Sequence, residues 1–158
     1  MKIVFMGTPD FAVPSLKNLI QEGFTVSAVV TQPDRPVGRK RIITPPPIKQ
    51  LALKHNIDVF QPEKVRDREF LQFISRLKPD IIVVVAFGQI LPRELLEIPS
   101  IGCINVHASL LPKYRGAAPI QWALIKGEKT TGISTMWMDQ GLDTGDIFLQ
   151  ESIPIEDD

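Results

Sequence analysis

The sequence has only one cysteine, Cys103, and therefore cannot form a disulfide within the chain. This excludes a small secreted domain held by disulfides and suits a reducing compartment, with Cys103 packing inside a strand. Two histidines and one cysteine far apart in the chain do not make a zinc ligand set, so we expect no metal. No apolar run approaches the ~18 residues of a membrane span, and Met1 leads directly into a strand pattern. We therefore expect no signal peptide, no membrane partner and a cytoplasmic protein.

The sequence also lacks a net charge, because 18 basic residues balance 18 acidic ones. There is no overall field to attract nucleic acid, so any RNA contact must come from a local patch. Residues 32–47 contain the densest group of cations, interspersed with prolines. The segment is long for a strand-to-helix connection, and such loops are usually functional or mobile. We expect an irregular loop that is mobile without a ligand.

Alternating strand and helix patterns predict the fold class. Apolar runs at Lys2–Met6 and Phe24–Thr31 flank a helix that starts near Pro14, which indicates right-handed β–α–β winding and a parallel sheet. Residues 81–87, IIVVVAF, are typical of a strand buried on both faces. The expected fold is α/β: a Rossmann-like open sheet, mostly parallel, with helices on both faces and residues 1–158 in one domain. No G-x-G-x-x-G pattern follows Gly7, so NAD is not expected.

The stretch from Ile101 to Ile147 has the residues for chemistry. Asn105 and His107 end a strand that opens into a loop, and in open α/β sheets ligands bind at such strand ends. Asp143 lies between two glycines, in a segment that can turn tightly. An amide, an imidazole and a carboxylate can move a proton and stabilise an oxyanion during acyl transfer. Each also has an ordinary interpretation, as a packed histidine or a turn-forming aspartate.

The patterns around these residues also predict secondary structure. Residues 133–138 and 147–155 are predicted to form two strands that flank Asp143, and residues 116–126 are predicted to form a helix with Trp122 in the core.

Several motifs in order carry a resemblance to a known family. They are NVH, SLLP, YRGAAPIQWAL and GLDTGD, preceded by FMGTPDFAVPSL and TQPDRPVGR. Together they resemble the 10-formyltetrahydrofolate-dependent formyltransferases, and within them the branch that formylates methionyl-tRNA. The resemblance covers essentially the whole chain. It implies transfer of the formyl group of 10-formyltetrahydrofolate to the α-amino group of methionyl initiator tRNA, for translation initiation.

The resemblance also implies roles for particular residues. Asn105 would stabilise the oxyanion, His107 would shuttle the proton, and Asp143 would orient His107 through a water. The implied folate-binding residues are Ser109, Leu110, Leu111, Pro112, Phe87, Gly88, Gln89 and Ile90. The implied tRNA-binding residues are Arg35, Arg39, Lys40 and Arg41.

Two alternatives remain open on the sequence. The acceptor could be a small amine, such as glycinamide ribonucleotide or an amino sugar nucleotide, for which the basic loop is not needed. The chain could instead be an inactive domain that binds folate or RNA. Members of the methionyl-tRNA branch continue with the rest of this domain, a linker and a small β-barrel. We therefore expect a chain that is incomplete at its C-terminus, without the β-barrel, and monomeric.

Overall fold

Strands and helices alternate along the chain in the computed structural model, which describes residues 1–156. The strands are β1 (Lys2–Gly7), β2 (Thr25–Val30), β3 (Arg35–Val37), β4 (Ile42–Thr44), β5 (Val59–Phe60), β6 (Ile81–Val85), β7 (Gly102–His107), β8 (Thr130–Trp137) and β9 (Ile147–Pro154). The helices are α1 (Val13–Gln21), α2 (Pro47–Lys54), α3 (Arg68–Leu77), α4 (Arg93–Leu96) and α5 (Pro119–Ile125), with a short 3-10 helix at Asp10–Ala12. No helix within residues 1–156 is long and apolar enough to cross a membrane.

The chain divides into two compact units, of which the first is Met1–Cys103 and the second begins at Ile104. In the N-terminal unit, β1 pairs in parallel with both β2 and β6, and β2 pairs in parallel with β5. Residues Ile3 to Met6 of β1 are at most 1% exposed, as expected for a parallel strand covered on both faces. The predicted parallel winding is confirmed. That residues 1–158 form one domain stays a prediction.

Residues 32–47 differ from the expected irregular loop. They contain an antiparallel hairpin in which β3 pairs with β4, and Pro36 lies opposite Ile43. The hairpin turns at Gly38, whose φ of 70° is costly for other residues, and Arg41 N donates to the Gly38 carbonyl over 3.1 Å. Proline fits here because a two-stranded hairpin has edges, where a missing N–H breaks no ladder. The mobility of this hairpin stays a prediction.

In the C-terminal unit, β8 pairs antiparallel with β7 and with β9, which confirms the two strands predicted on either side of Asp143. β8 buries alternate residues, among them Ser134 and Met136, with the period of two that strands impose. Helix α5 buries only Ala123. The prediction of Trp122 in the core is wrong, since its side chain is 46% exposed. Successive helix positions differ by about 100° around the axis, so the helix face that buries Ala123 leaves Trp122 outside.

Candidate active site

Strand β7 places two of the three candidate catalytic side chains on one face. Asn105 and His107 are two residues apart, so their side chains leave the strand in the same direction. They lie opposite Met136 and Ser134 of β8. His107 is only 7% exposed, and Asn105 is half-buried. Both groups are therefore held in fixed positions by the pairing of β7 with β8.

The connection from β8 to β9 presents Asp143. Asp139 Oδ1 accepts hydrogen bonds from Gly141 N at 2.9 Å and from Thr144 Oγ1 at 2.7 Å, which closes a tight turn. A side chain at Gly145 would collide with the carbonyl oxygen of Trp137, so only glycine allows this close approach. Asp143 itself has a φ of 52°, a left-handed conformation that aspartate tolerates better than most residues. The turn thus directs one carboxylate back towards β7.

The side chains of Asn105, His107 and Asp143 lie close together. Asn105 Nδ2 donates to Asp143 Oδ1 over 3.2 Å, and Asp143 Oδ2 accepts from the backbone N of Gly116 over 2.7 Å. His107 Nδ1 lies 3.6 Å from Asp143 Oδ2. A carboxylate can only accept hydrogen bonds, which requires the amide nitrogen of Asn105 to face it. The second N–H of Asn105 has no partner within the described residues and can donate to a ligand.

The hydrogen-bond partners of the two ring nitrogens of His107 differ. Nδ1 faces Asp143 Oδ2 at 3.6 Å, and the expected mediation of this contact by a water stays a prediction. The other ring nitrogen, Nε2, lies 2.8 Å from the carbonyl oxygen of Tyr114. A carbonyl oxygen cannot donate, so Nε2 must carry a hydrogen and Nδ1 is the site that can take up a further proton.

The loop that contains Lys113 and Tyr114 is also bound by an ionic cluster. Glu128 Oε1 accepts from Lys113 Nζ at 2.9 Å and from Tyr114 Oη at 2.7 Å. The Lys113 ammonium, followed by the Tyr114 hydroxyl, holds the pKa of Glu128 below its ordinary value. The same carboxylate raises the pKa of Tyr114. Glu128 is therefore ionised over the whole neutral range.

The loop Ser109–Pro112 is fixed by two residues that the sequence analysis missed. Ser134 Oγ donates to Ser109 O at 2.6 Å and accepts from Leu111 N at 3.0 Å. Gln150 Nε2 donates to Leu111 O at 3.0 Å. Ser109 and Leu111 are buried, whereas Leu110 is half-buried and Pro112 is exposed. The signal available for Ser134 was its position two residues from both Gly132 and Met136, which makes it the polar residue on the buried face of β8.

The other predicted folate-binding segment, Phe87–Ile90, lies in the N-terminal unit. Phe87 is buried, and its carbonyl accepts from Thr8 Oγ1 at 2.8 Å. The side chain of Gln89 is already used, because its Oε1 accepts from Val65 N at 3.0 Å and its Nε2 donates to Glu63 O at 3.2 Å. Ile90 is 86% exposed. Within this segment Ile90 therefore offers the most free side-chain surface to a ligand.

The predicted tRNA-binding cations lie on the β3–β4 hairpin. Arg39, Lys40 and Arg41 form its tip and are exposed, and Arg35 begins β3. Asp34 anchors the base of the hairpin by accepting from Lys49 Nζ at 2.8 Å and Gln61 Nε2 at 2.7 Å. These contacts, with Lys49 foremost, lower the pKa of Asp34. The tip therefore presents three cations on an anchored arm.

Across the described part of the chain, no group of three or more His, Cys, Asp or Glu side chains could hold a metal ion. A family model described as "Formyl transferase" matches residues 1–158. This chain belongs to the formyl transferase family.

Two curated relatives match this chain over its whole length. The chain is 65% identical over 158 residues to a methionyl-tRNA formyltransferase of Halalkalibacterium halodurans, with 100% of the chain and 50% of the relative covered. It is 63% identical to the methionyl-tRNA formyltransferase of Pelotomaculum thermopropionicum, with the same coverage. The chain thus spans about half the length of the curated relatives it matches.

Solved structures of other proteins share the fold of this chain. A phosphoribosylglycinamide formyltransferase from Bacillus halodurans matches with a TM-score of 0.80 at 21% identity, covering 99% of this chain and 81% of the other. A formyltetrahydrofolate deformylase from Pseudomonas syringae pv. tomato matches with a TM-score of 0.75 at 20% identity, covering 98% and 51%. The predicted fold class, a Rossmann-like α/β fold of the formyltransferase type, is confirmed.

Proposed function

We propose that this chain carries the transfer chemistry of a methionyl-tRNA formyltransferase. It moves the formyl group of 10-formyltetrahydrofolate to the α-amino group of methionyl initiator tRNA, in the cytoplasm and for translation initiation. The observation that carries the proposal is the meeting of Asn105, His107 and Asp143 around one carboxylate. More than 60% identity to two methionyl-tRNA formyltransferases supports the choice of acceptor.

Asn105 is suited to stabilise the formyl oxygen, which gains negative charge as the amine attacks. One N–H of its amide is bound to Asp143, which fixes the plane of the amide and directs the other N–H outward. A single well-placed donor of this kind contributes about 3 kcal/mol to the transition state. The fixed amide requires no reorganisation during the reaction, so the stabilisation is available at once.

Asp143 and His107 are suited to move the proton. The new N–C bond leaves a positive amine, and its proton must reach the nitrogen from which the formyl carbon departs. Asp143 accepts this proton, and His107 Nδ1, 3.6 Å away, takes it up to give an imidazolium that favours the oxyanion. The imidazolium then passes the proton to the folate nitrogen as the bond between that nitrogen and the formyl carbon breaks and the oxyanion re-forms the carbonyl group. The folate donor supplies the activated formyl group, and no charge remains on the products of the transfer.

Two segments are proposed to bind the folate. Leu110 and Pro112 offer free surface in the rigid loop Ser109–Pro112, next to His107 in sequence. Ile90 offers it in the segment Phe87–Ile90. Apolar walls with a few fixed polar groups are the common composition of cofactor sites. The exposed apolar surfaces of these two segments therefore fit an organic co-substrate.

The hairpin is proposed to bind the tRNA. Arg39, Lys40 and Arg41 are exposed at its tip, and Arg35 lies at its base. Arginine binds phosphate through two parallel hydrogen bonds, and such contacts place a nucleic acid without reading its sequence. Binding of a small amine acceptor would not require this basic hairpin.

Formyl transfer by the 158-residue chain tests the proposal directly. The chain is incubated with 10-formyltetrahydrofolate and, separately, with methionyl initiator tRNA, glycinamide ribonucleotide and an amino sugar nucleotide. We expect formylmethionyl-tRNA as the product. Transfer to a small amine alone would overturn the choice of acceptor. Folate binding without any product would overturn catalysis by this chain and favour a binding domain.

A further inference from the structure

The carbonyl oxygen of Tyr114 decides which nitrogen of His107 carries the hydrogen. Nε2 lies 2.8 Å from this oxygen, which can only accept. Nδ1 is then left with its lone pair towards Asp143, where a proton can be received. If the Tyr114 carbonyl moved away, the ring could carry its hydrogen on Nδ1 and the proton-accepting site would no longer face the carboxylate.

Tyr114 does not take its position without support. Its φ of 55° is left-handed, a conformation that is unfavourable for residues with a Cβ atom. Something outside the local sequence must therefore stabilise it. The side chains of Tyr114 and Lys113 supply two such contacts, since both reach Glu128 Oε1, over 2.7 and 2.9 Å. Ser109 Oγ adds a third by donating to the Lys113 carbonyl over 2.6 Å.

Glu128 is itself well anchored. It lies three residues after the end of α5, and its backbone N donates to the carbonyl of Ala123 over 3.0 Å. Ala123 is only 1% exposed, and β8 begins two residues after Glu128. The carboxylate is thus attached to a helix end and a strand start, and it is ionised at neutral pH because its pKa is lowered. It provides a fixed acceptor for two donors of the 113–114 segment.

We propose that Glu128 is a positioning residue for His107. Through the side chains of Lys113 and Tyr114 it holds the Tyr114 carbonyl, and that carbonyl keeps the His107 ring in the tautomer whose Nδ1 faces Asp143. Glu128 touches no reacting atom. Its effect on turnover rests on the proposed function, but its effect on the tautomer of His107 does not.

The test compares four variants of the 158-residue chain by nitrogen-15 NMR of the imidazole rings. The chain has two histidines, so replacing His55 by Gln assigns the signals of His107. In the wild type we expect neutral His107 to carry its hydrogen on Nε2. In Glu128→Ala and Tyr114→Phe, the Nδ1–H form should become detectable. Glu128→Gln should retain the wild-type tautomer, because its amide oxygen still accepts from the Tyr114 hydroxyl.

Glu97→Ala is the matched control, since Glu97 forms a similar ion pair of 2.6 Å with Arg93 in the N-terminal unit. The tautomer of His107 should be unchanged in this variant.

Turnover gives the second measurement. In Glu128→Ala we expect kcat to fall about fivefold with KM for the tRNA unchanged, the usual net size of one hydrogen bond. An unchanged His107 tautomer in both Glu128→Ala and Tyr114→Phe would overturn the proposal, whatever happens to stability. A changed tautomer in a chain that formylates no tRNA would confirm the positioning role and contradict the proposed function instead.

Discussion

His107 Nε2 donates to the carbonyl oxygen of Tyr114 over 2.8 Å, although the two residues are separated by a loop. The contact joins the end of β7 to the segment that also binds Asp143 through the backbone N of Gly116. One loop therefore contacts both partners of the proposed proton transfer. Because backbone groups of the loop make these contacts, they depend on the path of the loop, and the side chains of Lys113 and Tyr114 fasten that path to Glu128.

Asn105, His107 and Asp143 should each be needed for turnover. We expect Asn105→Ala, His107→Ala and Asp143→Ala to lower kcat at least about 100-fold, since their interactions strengthen as charge develops. Folate affinity, measured by fluorescence titration, should change little. Asp146→Asn is a matched control, because Asp146 is an exposed carboxylate on the same connection. Near-normal kcat in any of the three alanine variants would refute the role given to that residue.

The tip of the hairpin should determine the affinity for tRNA. Replacing Arg39, Lys40 and Arg41 by Gln is expected to raise KM for methionyl-tRNA and to flatten its dependence on salt, because fewer counterions are released on binding. Folate affinity should remain as in the wild type. The charge-matched control replaces the exposed residues Lys54, Arg68 and Arg76 by Gln. If both triple variants had the same salt slope, the hairpin would be only a surface connection.

Ile90 and Gln89 should respond differently to replacement by alanine. Gln89→Ala removes the acceptor of Val65 N and should lower the free energy of unfolding by about 1 kcal/mol. Ile90 is 86% exposed, so Ile90→Ala should leave stability within about 0.5 kcal/mol while weakening folate binding. Urea unfolding and folate titration of both variants check this. Unchanged folate affinity in Ile90→Ala would remove this residue from the folate site.

Cys103 should be unreactive in the folded chain. Burial raises the pKa of its thiol to about 12, and the residue is 2% exposed. At about pH 8 almost no thiolate is present, and the thiolate is the nucleophile. Iodoacetamide should therefore alkylate Cys103 slowly in buffer and quickly in concentrated guanidinium, as measured by mass spectrometry. Equal rates in the two conditions would contradict the burial of this thiol.

Asp80 should make stability depend on acid pH. Its Oδ2 accepts from the backbone N of Lys2 over 2.6 Å, and this hydrogen bond, more than any other contact, lowers its pKa in the folded state. A lowered pKa means that the stabilisation is present above the unfolded value of about 3.9 and is lost as pH falls through the folded value. The difference in free energy of unfolding between wild type and Asp80→Asn should thus shrink below about pH 4. Asp58→Asn, at an exposed site, is the control, and a difference that stayed constant with pH would refute the linkage.

Much of the fold follows from local patterns in the sequence. Runs of apolar residues predicted β1, β2 and β6, because a strand buried on both faces needs no polar positions. The sequence predicted that Asn105 and His107 end a strand, and the period of two of any strand then places both side chains on one face. The prediction of an irregular segment at 32–47 was wrong, since prolines indicate where a ladder is interrupted and not whether two short strands can still pair.

The sequence by itself therefore determined the order of strands and helices, and the motifs that name the candidate catalytic residues. Only the tertiary structure decided that Asp143 meets Asn105 across 38 positions of the chain, because that contact depends on how the β8–β9 connection turns. It also placed the Tyr114 carbonyl at His107 Nε2 and the Tyr114 hydroxyl at Glu128, the two contacts on which the proposed role of Glu128 rests. Every residue carries the same backbone carbonyl, so no pattern in the sequence can show which one accepts the hydrogen of His107.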